Sequence, residues 1–505
     1  MANVLPALSS VRPARSPDKR GYERLSILLF LLASSIFLFA DARIPPVALQ
    51  DEARNAVNAI EMYLSGNGVV TTYNFQPDLW NTKPPLLIWL MSASMTLFGP
   101  SEWAIRLPSA LAAMGTLSCT MLFVRRITGS LPTAIGAGAI LLISPGFFGE
   151  HGARTGDFDA LLTLFVTAGL QLIFFTVHRA RPDMRSIFAI GALIAAGALT
   201  KSIAAFIPLA GVVLYLVLVG RFKRTLSHSH RYAVAGAVAV GPLFIFYASR
   251  EAASPGYMSA VIYNDIVGRF RETLIEATSP YYYVKELFAG WFVAGPFLVA
   301  APLAFANCSG RSKLLFVYAA SIATASLLVY SAASNRAVQY ALPMFPWLSI
   351  VAVLTLRYLG QYVVRTWRDG KMALAVILGV VLISIGGQLT VRAATWRYQR
   401  FPERQFYPQS SYGNLFADLS ARGVTKLTVV DPGVLHLGKP GYAPLLRWNR
   451  LIWQEKGMTI DHMLKQGAGS QLPLASCEPL VFDRWAAPDV EKIDRCAVLW
   501  PRSTA

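Results

Sequence analysis

Apolar runs long enough to cross a bilayer recur along most of this chain, with short polar stretches between them. They fall near residues 25–40, 103–124, 131–149, 158–177, 187–200, 203–220, 232–249, 286–306, 314–331, 341–357 and 372–391. About 20 apolar residues in a helix cross the hydrocarbon core. The pattern therefore predicts eleven spans and a multi-spanning α-helical membrane protein. The runs at 187–200 and 286–306 depart most from it, being short or rich in Gly and Pro.

A twelfth apolar stretch, residues 86–98, is only 13 residues long. The positive-inside rule decides how to read it. With eleven spans and residues 1–24 inside, the cytoplasmic tail and loops before residue 391 hold 20 Lys and Arg, and the opposite loops hold 11. If residues 86–98 crossed, Arg125-Arg126 and every later basic loop would invert. We therefore read 86–98 as a juxtamembrane or re-entrant helix on the outer face. Ala40-Asp41-Ala42 fits a signal-peptidase site after the run 25–40. The long basic tail ahead of that run favours an uncleaved first span with the N-terminus inside.

Composition agrees with the pattern. The chain has 505 residues, of which 54% are hydrophobic and 15% charged, with mean hydropathy +0.45. Soluble domains carry about 25% charged residues. The net charge of +18 does not point to nucleic acid, because no basic tract or aromatic RNA-binding motif accompanies it. The six histidines are scattered. None of the four cysteines has the paired spacing of a zinc site. Cys477 and Cys496 lie in a polar segment near the C-terminus and suit a disulfide if that segment is outside the cytoplasm. Two free thiols are the alternative.

The tail differs from the rest. Apolar runs shorten beyond residue 391, residues 410–422 read as an amphipathic helix, and Lys426–Asp431 reads as a strand between turn signals at Gly423 and Pro432-Gly433. The expected organisation is a cytoplasmic tail over 1–24, a transmembrane domain over 25–391 whose first outer loop is 41–102, and a small α/β domain over 392–505. With an odd number of spans that domain lies outside. Asp431 and His436 read as surface or packing residues.

Polar residues gather on the same outer side. The first long loop carries Asp51-Glu52-Ala53-Arg54, Asn81-Thr82-Lys83-Pro84-Pro85, Phe98-Gly99, Glu102 and Arg106-Leu107-Pro108. Later outer loops add Glu150, His151, Arg154, Asp157, Asp159, Lys201, Asn264, Asp265, Arg269, Arg271, Asn335, Arg336, Gln339 and Tyr340. Ionisable groups near membrane spans are costly and mark working sites. A solvated loop is the plain alternative for the first set.

In this order the residues resemble the integral-membrane glycosyltransferases of the protein O-mannosyltransferase and aminoarabinose transferase superfamily, the GT-C fold. The resemblance rests on Asp51-Glu52, Lys83-Pro84-Pro85, Arg106-Leu107-Pro108, Asp159 before Leu161-Leu162-Thr163-Leu164-Phe165, Thr200-Lys201, and Tyr340 before Pro343. It covers roughly residues 25–350. It implies about 11–13 transmembrane helices, periplasmic juxtamembrane helices and a small periplasmic C-terminal α/β domain. It also implies inverting transfer of a sugar from a polyprenyl-phosphate donor to a periplasmic acceptor: lipopolysaccharide, lipid A, another envelope glycan or lipid, or a protein. The setting it implies is a bacterial inner membrane.

The residue types suit that chemistry. A lipid-phosphate leaving group needs preorganised positive charge; Lys83, Arg269 or Arg271, Lys201 and Arg336 are the candidates. An oxocarbenium-like transition state is stabilised by a carboxylate, and a hydroxyl acceptor must lose a proton to a base. By family position Asp51 is the base, with Glu52 orienting it and Asp159 a third acid. Arg54, Glu102, Arg106 and Tyr340 read as structural, with Glu102 and Arg106 pairing one helical turn apart. Each site residue has a plainer reading: Asp51 as a helix N-terminal acid, Lys83 as a headgroup anchor, Asp159 as a helix cap, Lys201 as a snorkelling side chain. In one place the chain departs from the aminoarabinose transferases. Thr82 stands where they carry a metal-binding Glu, so no metal is carried over, although Asp51-Glu52 leaves room for a divalent cation. The non-enzymatic alternative is a transporter or flippase of lipid-linked sugars. That would place charges mid-span in paired halves, whereas here they cluster at the outer ends.

Overall fold

A computed structural model describes residues 17–39, 47, 49–267, 279, 281–334, 336–368, 411–432, 442–464, 472–485 and 490–501. The expected span 372–391, and Arg269, Arg271, Asn335 and His436, lie outside the described residues.

The helices that organise the fold are α1 (Pro17–Phe39), α2 (Gln50–Ser65), α3 (Leu86–Phe98), α4 (Glu102–Thr128), α5 (Leu131–Ile143), α6 (Phe158–Val177), α7 (Met184–Lys201), α8 (Leu209–Leu218), α9 (Ser229–Ala253), α10 (Gly310–Ala332) and α11 (Phe345–Arg368). Among the described residues seven helical segments are long and apolar enough to cross a membrane. The pair Tyr282–Trp291 and Gly295–Asn307, bent by 118°, makes an eighth if counted as one broken span. The protein is a multi-pass membrane protein.

Local chemistry explains where helices depart from the apolar runs. The run 131–149 breaks after Ile143, because Pro145 starts a separate turn over Pro145–Phe148. Pro208 likewise shortens the run 203–220 to α8. Within 286–306 Gly290 adopts φ 112°, a conformation open to glycine, and the helix breaks there. The stretch 86–98 forms a helix over its whole 13 residues, too short to span on its own.

The chain divides into two compact units. One gathers the described residues of 1–40, 82–87 and 108–399; the other gathers those of 41–81, 88–107 and 400–505. The first is helical. Its core contains a run of rings, Phe123, Phe174, Tyr215, Tyr318 and Trp347, with neighbouring centroids 4.8–6.0 Å apart. Gly211 lets α8 approach the α10 backbone: a Cβ there would lie 2.3 Å from Cα of Ile322. Small residues permit such close helix contacts in membranes.

The second unit carries the sheets. A short hairpin pairs β1 (Thr72–Tyr73) with β2 (Gln76–Pro77). Five strands, β3 (Lys426–Val430), β4 (Thr459–Met463), β5 (Leu474–Ser476), β6 (Val490–Ile493) and β7 (Cys496–Leu499), run in the order β4-β3-β5-β7-β6. Strand β3 is parallel to β4 and β5, and β7 is antiparallel to β5 and β6. The sheet packs on α12 (Tyr412–Ala421) and α13 (Pro444–Glu455) around Tyr412, Phe416, Val429 and Ile460. Cys477 and Cys496 are joined in a disulfide. Asp431 is buried and accepts a hydrogen bond from Tyr412 Oη, 2.8 Å away.

In the same unit α2 is tied to α13. The Glu61 carboxylate is fully buried and accepts from Thr72 Oγ1 (2.8 Å), from the backbone N–H groups of Asn74 (3.0 Å) and Phe75 (2.9 Å), and from Arg447 (2.9 and 3.0 Å). Asn74 and Phe75 form the hairpin tip with φ of 53° and 57°, the left-handed region that most side chains avoid. Glu61 holds that turn in place.

Candidate active site

The first unit contains a cavity of about 390 Å³ whose lining includes Lys83, Asp159, Lys201 and Asp265. Tyr283, Tyr330 and Tyr340 also line it, with Leu162, Ile203, Ile207 and Val329 as apolar wall.

Helix packing explains one of its two ion pairs. Helices α6 and α7 are joined by a short turn over residues 178–183, so the start of one lies beside the end of the other. Asp159 occupies the first turn of α6, Lys201 the last turn of α7, and each suits the helix dipole at its position. Lys201 Nζ donates to Oδ1 and Oδ2 of Asp159 at 2.6 and 2.7 Å. The chain leaves α7 abruptly at Ser202, with φ 49°. Ser202 Oγ accepts from Tyr247 Oη at 2.9 Å. The Tyr340 ring lies 4.9 Å from Lys201 Nζ, in cation–π range.

The second pair starts in Thr82-Lys83-Pro84-Pro85. Proline disfavours helical backbone at the residue before it, which keeps Lys83 ahead of α3. Its ammonium pairs with Oδ1 of Asp265, on a single wide turn over Ile262–Val267. Thr82 Oγ1 donates to the other oxygen of Asp265 at 2.8 Å. Tyr257 Oη donates to the Thr82 carbonyl at 2.9 Å, and the Arg250 guanidinium lies 4.5 Å from the Tyr257 ring centre.

Close to Asp159, Asp157 caps α6 by accepting from Phe158 N at 2.7 Å and pairs with His151. Burial opposes the charge on Asp157. His151 beside it, and then Lys201, nonetheless hold its carboxyl below the usual carboxylate range.

The structure thus brings together three of the expected site residues, Lys83, Asp159 and Lys201, with Tyr340. Arg336 is engaged in holding backbone, since its Nε and Nη2 donate to the Ser331 carbonyl at the end of α10 and its Nη1 to the Ser279 carbonyl. Sequence reasoning did not single out Asp265. Its partner lies 182 residues away, and no periodicity links the two.

In the second unit Asp51 and Glu52 part company. Asp51, in the first turn of α2, pairs with Arg54 at 2.8 Å and its side chain is 45% exposed. Glu52 is buried, and both its oxygens accept from Arg106, at 2.7 and 3.0 Å. The expected pairing of Arg106 with Glu102 gives way to this buried fork. Around Thr82 a hydroxyl and an ammonium share the Asp265 carboxylate.

The profile of the family described as dolichyl-phosphate-mannose-protein mannosyltransferase matches residues 82–247. An undecaprenyl phosphate-alpha-4-amino-4-deoxy-L-arabinose arabinosyl transferase of Shewanella sediminis is 27% identical over 307 residues, covering 60% of this chain and 54% of its own length. The chain thus spans about half the length of that relative. A transferase of the same description from Pseudomonas fluorescens is 23% identical over 397 residues, covering 76% of this chain and 68% of its own. The crystal structure of ArnT from Cupriavidus metallidurans bound to undecaprenyl phosphate superimposes with a TM-score of 0.66 at 17% identity, over 94% of this chain and 97% of that one. The fold is shared along almost the whole of both. The chain is thus similar to the aminoarabinose transferases in sequence and fold, and to the protein mannosyltransferase family over residues 82–247.

Proposed function

We propose that this protein is an inverting glycosyltransferase that moves a sugar from a polyprenyl-phosphate donor to lipopolysaccharide, lipid A or another envelope acceptor. One observation carries the reading: a single cavity is lined both by two ammonium groups, Lys83 and Lys201, and by apolar side chains such as Leu162, Ile203, Ile207 and Val329. A lipid phosphate has the matching division, a charged head on a hydrocarbon chain. The names of the relatives, which specify an undecaprenyl-phosphate-linked sugar, support it.

In this reading Lys83 and Lys201 stabilise the charge that develops on the departing lipid phosphate as the anomeric C–O bond breaks. Asp159 holds Lys201 in position. Asp51 removes the proton from an acceptor hydroxyl as its oxygen attacks the opposite face of the sugar, which inverts the configuration. Glu52 and Arg106 brace the start of α2, which carries Asp51. Arg269 and Arg271 remain candidates for the same phosphate. We place the protein in a bacterial inner membrane, with residues 1–24 cytoplasmic and the site and residues 392–505 periplasmic. The charge asymmetry of the loops supports that orientation. A protein acceptor is the second reading, favoured by the profile match over residues 82–247.

Mass spectrometry of envelope lipids and lipopolysaccharide from wild-type, deletion and Asp51→Ala strains tests this. A sugar-sized mass missing from one acceptor in both mutants is the expected result and names that acceptor. Loss in the deletion alone would remove Asp51 from the base role. No change in either, with the protein expressed, would turn the reading to protein acceptors.

A further inference from the structure

The four charged side chains that line the cavity cancel in formal charge: Lys83 and Lys201 against Asp159 and Asp265. An entering phosphate adds at least one negative charge. Uncompensated charge in a cavity with apolar walls is expensive, so an ammonium already in the cavity is favoured to turn from its carboxylate to the phosphate.

Geometry distinguishes the two. Asp159 and Lys201 sit at the ends of helices of 20 and 18 residues packed along each other, and Asp159 grips its lysine with both oxygens. Asp265 rides on one six-residue turn; its Oδ1 accepts from Lys83 and its Oδ2 from Thr82. Such wide i→i+5 turns are uncommon and concentrate at functional sites. The Lys83 side chain is 16% exposed, against 9% for Lys201. Thr82 is anchored by Tyr257, so Asp265 keeps a hydrogen-bond donor when Lys83 leaves it.

We propose that Asp265 is a built-in stand-in for the donor phosphate. It keeps Lys83 oriented before lipid binds, surrenders it to the phosphate, and competes to take it back when the product lipid phosphate departs. The exchange is non-covalent: Lys83 keeps its proton throughout, and one ion pair replaces another. Apparent affinity is then the intrinsic affinity scaled by the fraction of molecules in which Lys83 is available. The stand-in weakens binding of donor and product alike and speeds product release. This inference rests on the donor reading above.

The test titrates undecaprenyl phosphate into purified wild-type protein, Asp265→Asn, Asp265→Ala and the charge-preserving Asp265→Glu. Melting without lipid reports folding, and the lipid-induced shift reports affinity. Asn retains an acceptor for Thr82, so it decides the matter if Ala does not fold. The expected result is roughly ten-fold tighter binding by the Asn and Ala variants, at the lower end of ordinary coupling between sites, with Glu near wild type. In steady-state turnover with the donor, Asn lowers KM and kcat together. Binding by the wild type with the Asn variant no tighter would overturn the stand-in alone, and so would equal tightening by Glu. Absence of binding by all four proteins would instead overturn the donor reading.

Discussion

Asp159 and Lys201 meet with both carboxylate oxygens within 2.7 Å of the ammonium, at adjoining ends of two packed helices. The pair is buried, so each charge depends on the other.

Removing one member strands the other. Asp159→Ala is expected to destabilise the protein by about 3–5 kcal/mol, the usual consequence of breaking a buried pair. The double variant Asp159→Leu/Lys201→Met keeps an apolar contact and leaves no orphan charge. Thermal unfolding in detergent should place its Tm above that of either single variant, while sugar transfer is lost in all three.

Lys83→Ala is expected to reduce kcat/KM for transfer by roughly 10²–10³-fold, the effect of losing one preorganised charge-stabilising group. Lys83→Arg keeps the charge and should recover part of the loss. Steady-state kinetics with a purified polyprenyl-phosphate sugar checks both. An alanine variant as active as wild type would leave Lys83 as an anchor only.

Glu61 accepts five hydrogen bonds from four residues within its unit. Glu61→Ala removes the partner of a partly buried arginine and frees the strained Asn74-Phe75 turn. A loss of about 3–5 kcal/mol is expected, with new proteolytic cuts near residues 72–77. Limited proteolysis followed by mass mapping reads this directly.

The Cys477–Cys496 disulfide closes a loop with a sequence separation of 19 residues. Replacing both cysteines by alanine should cost about 2–4 kcal/mol. Reductant should lower the Tm of the wild type and leave that of the double variant unchanged.

How much of this was legible in the sequence follows from the range of each interaction. Apolar periodicity is local, and it located α6 to the residue and α4, α9 and α10 closely. It overran wherever a proline or Gly290 stopped a helix inside an apolar run, because hydropathy does not register backbone geometry. Lys83, Asp159 and Lys201 stood out as charges at span ends. Asp265 appeared only as one polar residue in a loop, since what singles it out is a partner 182 positions earlier. Arg106 misled for the opposite reason: Glu102 lies one turn away, but burial favours the fork with Glu52, 54 residues distant.

The Glu61–Arg447 contact spans 386 residues of sequence. At a synthesis rate of about 5–20 residues per second, roughly 20–80 s separate the emergence of the carboxylate from that of its guanidinium. Throughout that interval Glu61 can engage the hairpin between residues 72 and 77 but lacks its countercharge. Glu61 therefore stays without this arginine until the 386 residues between them have been made.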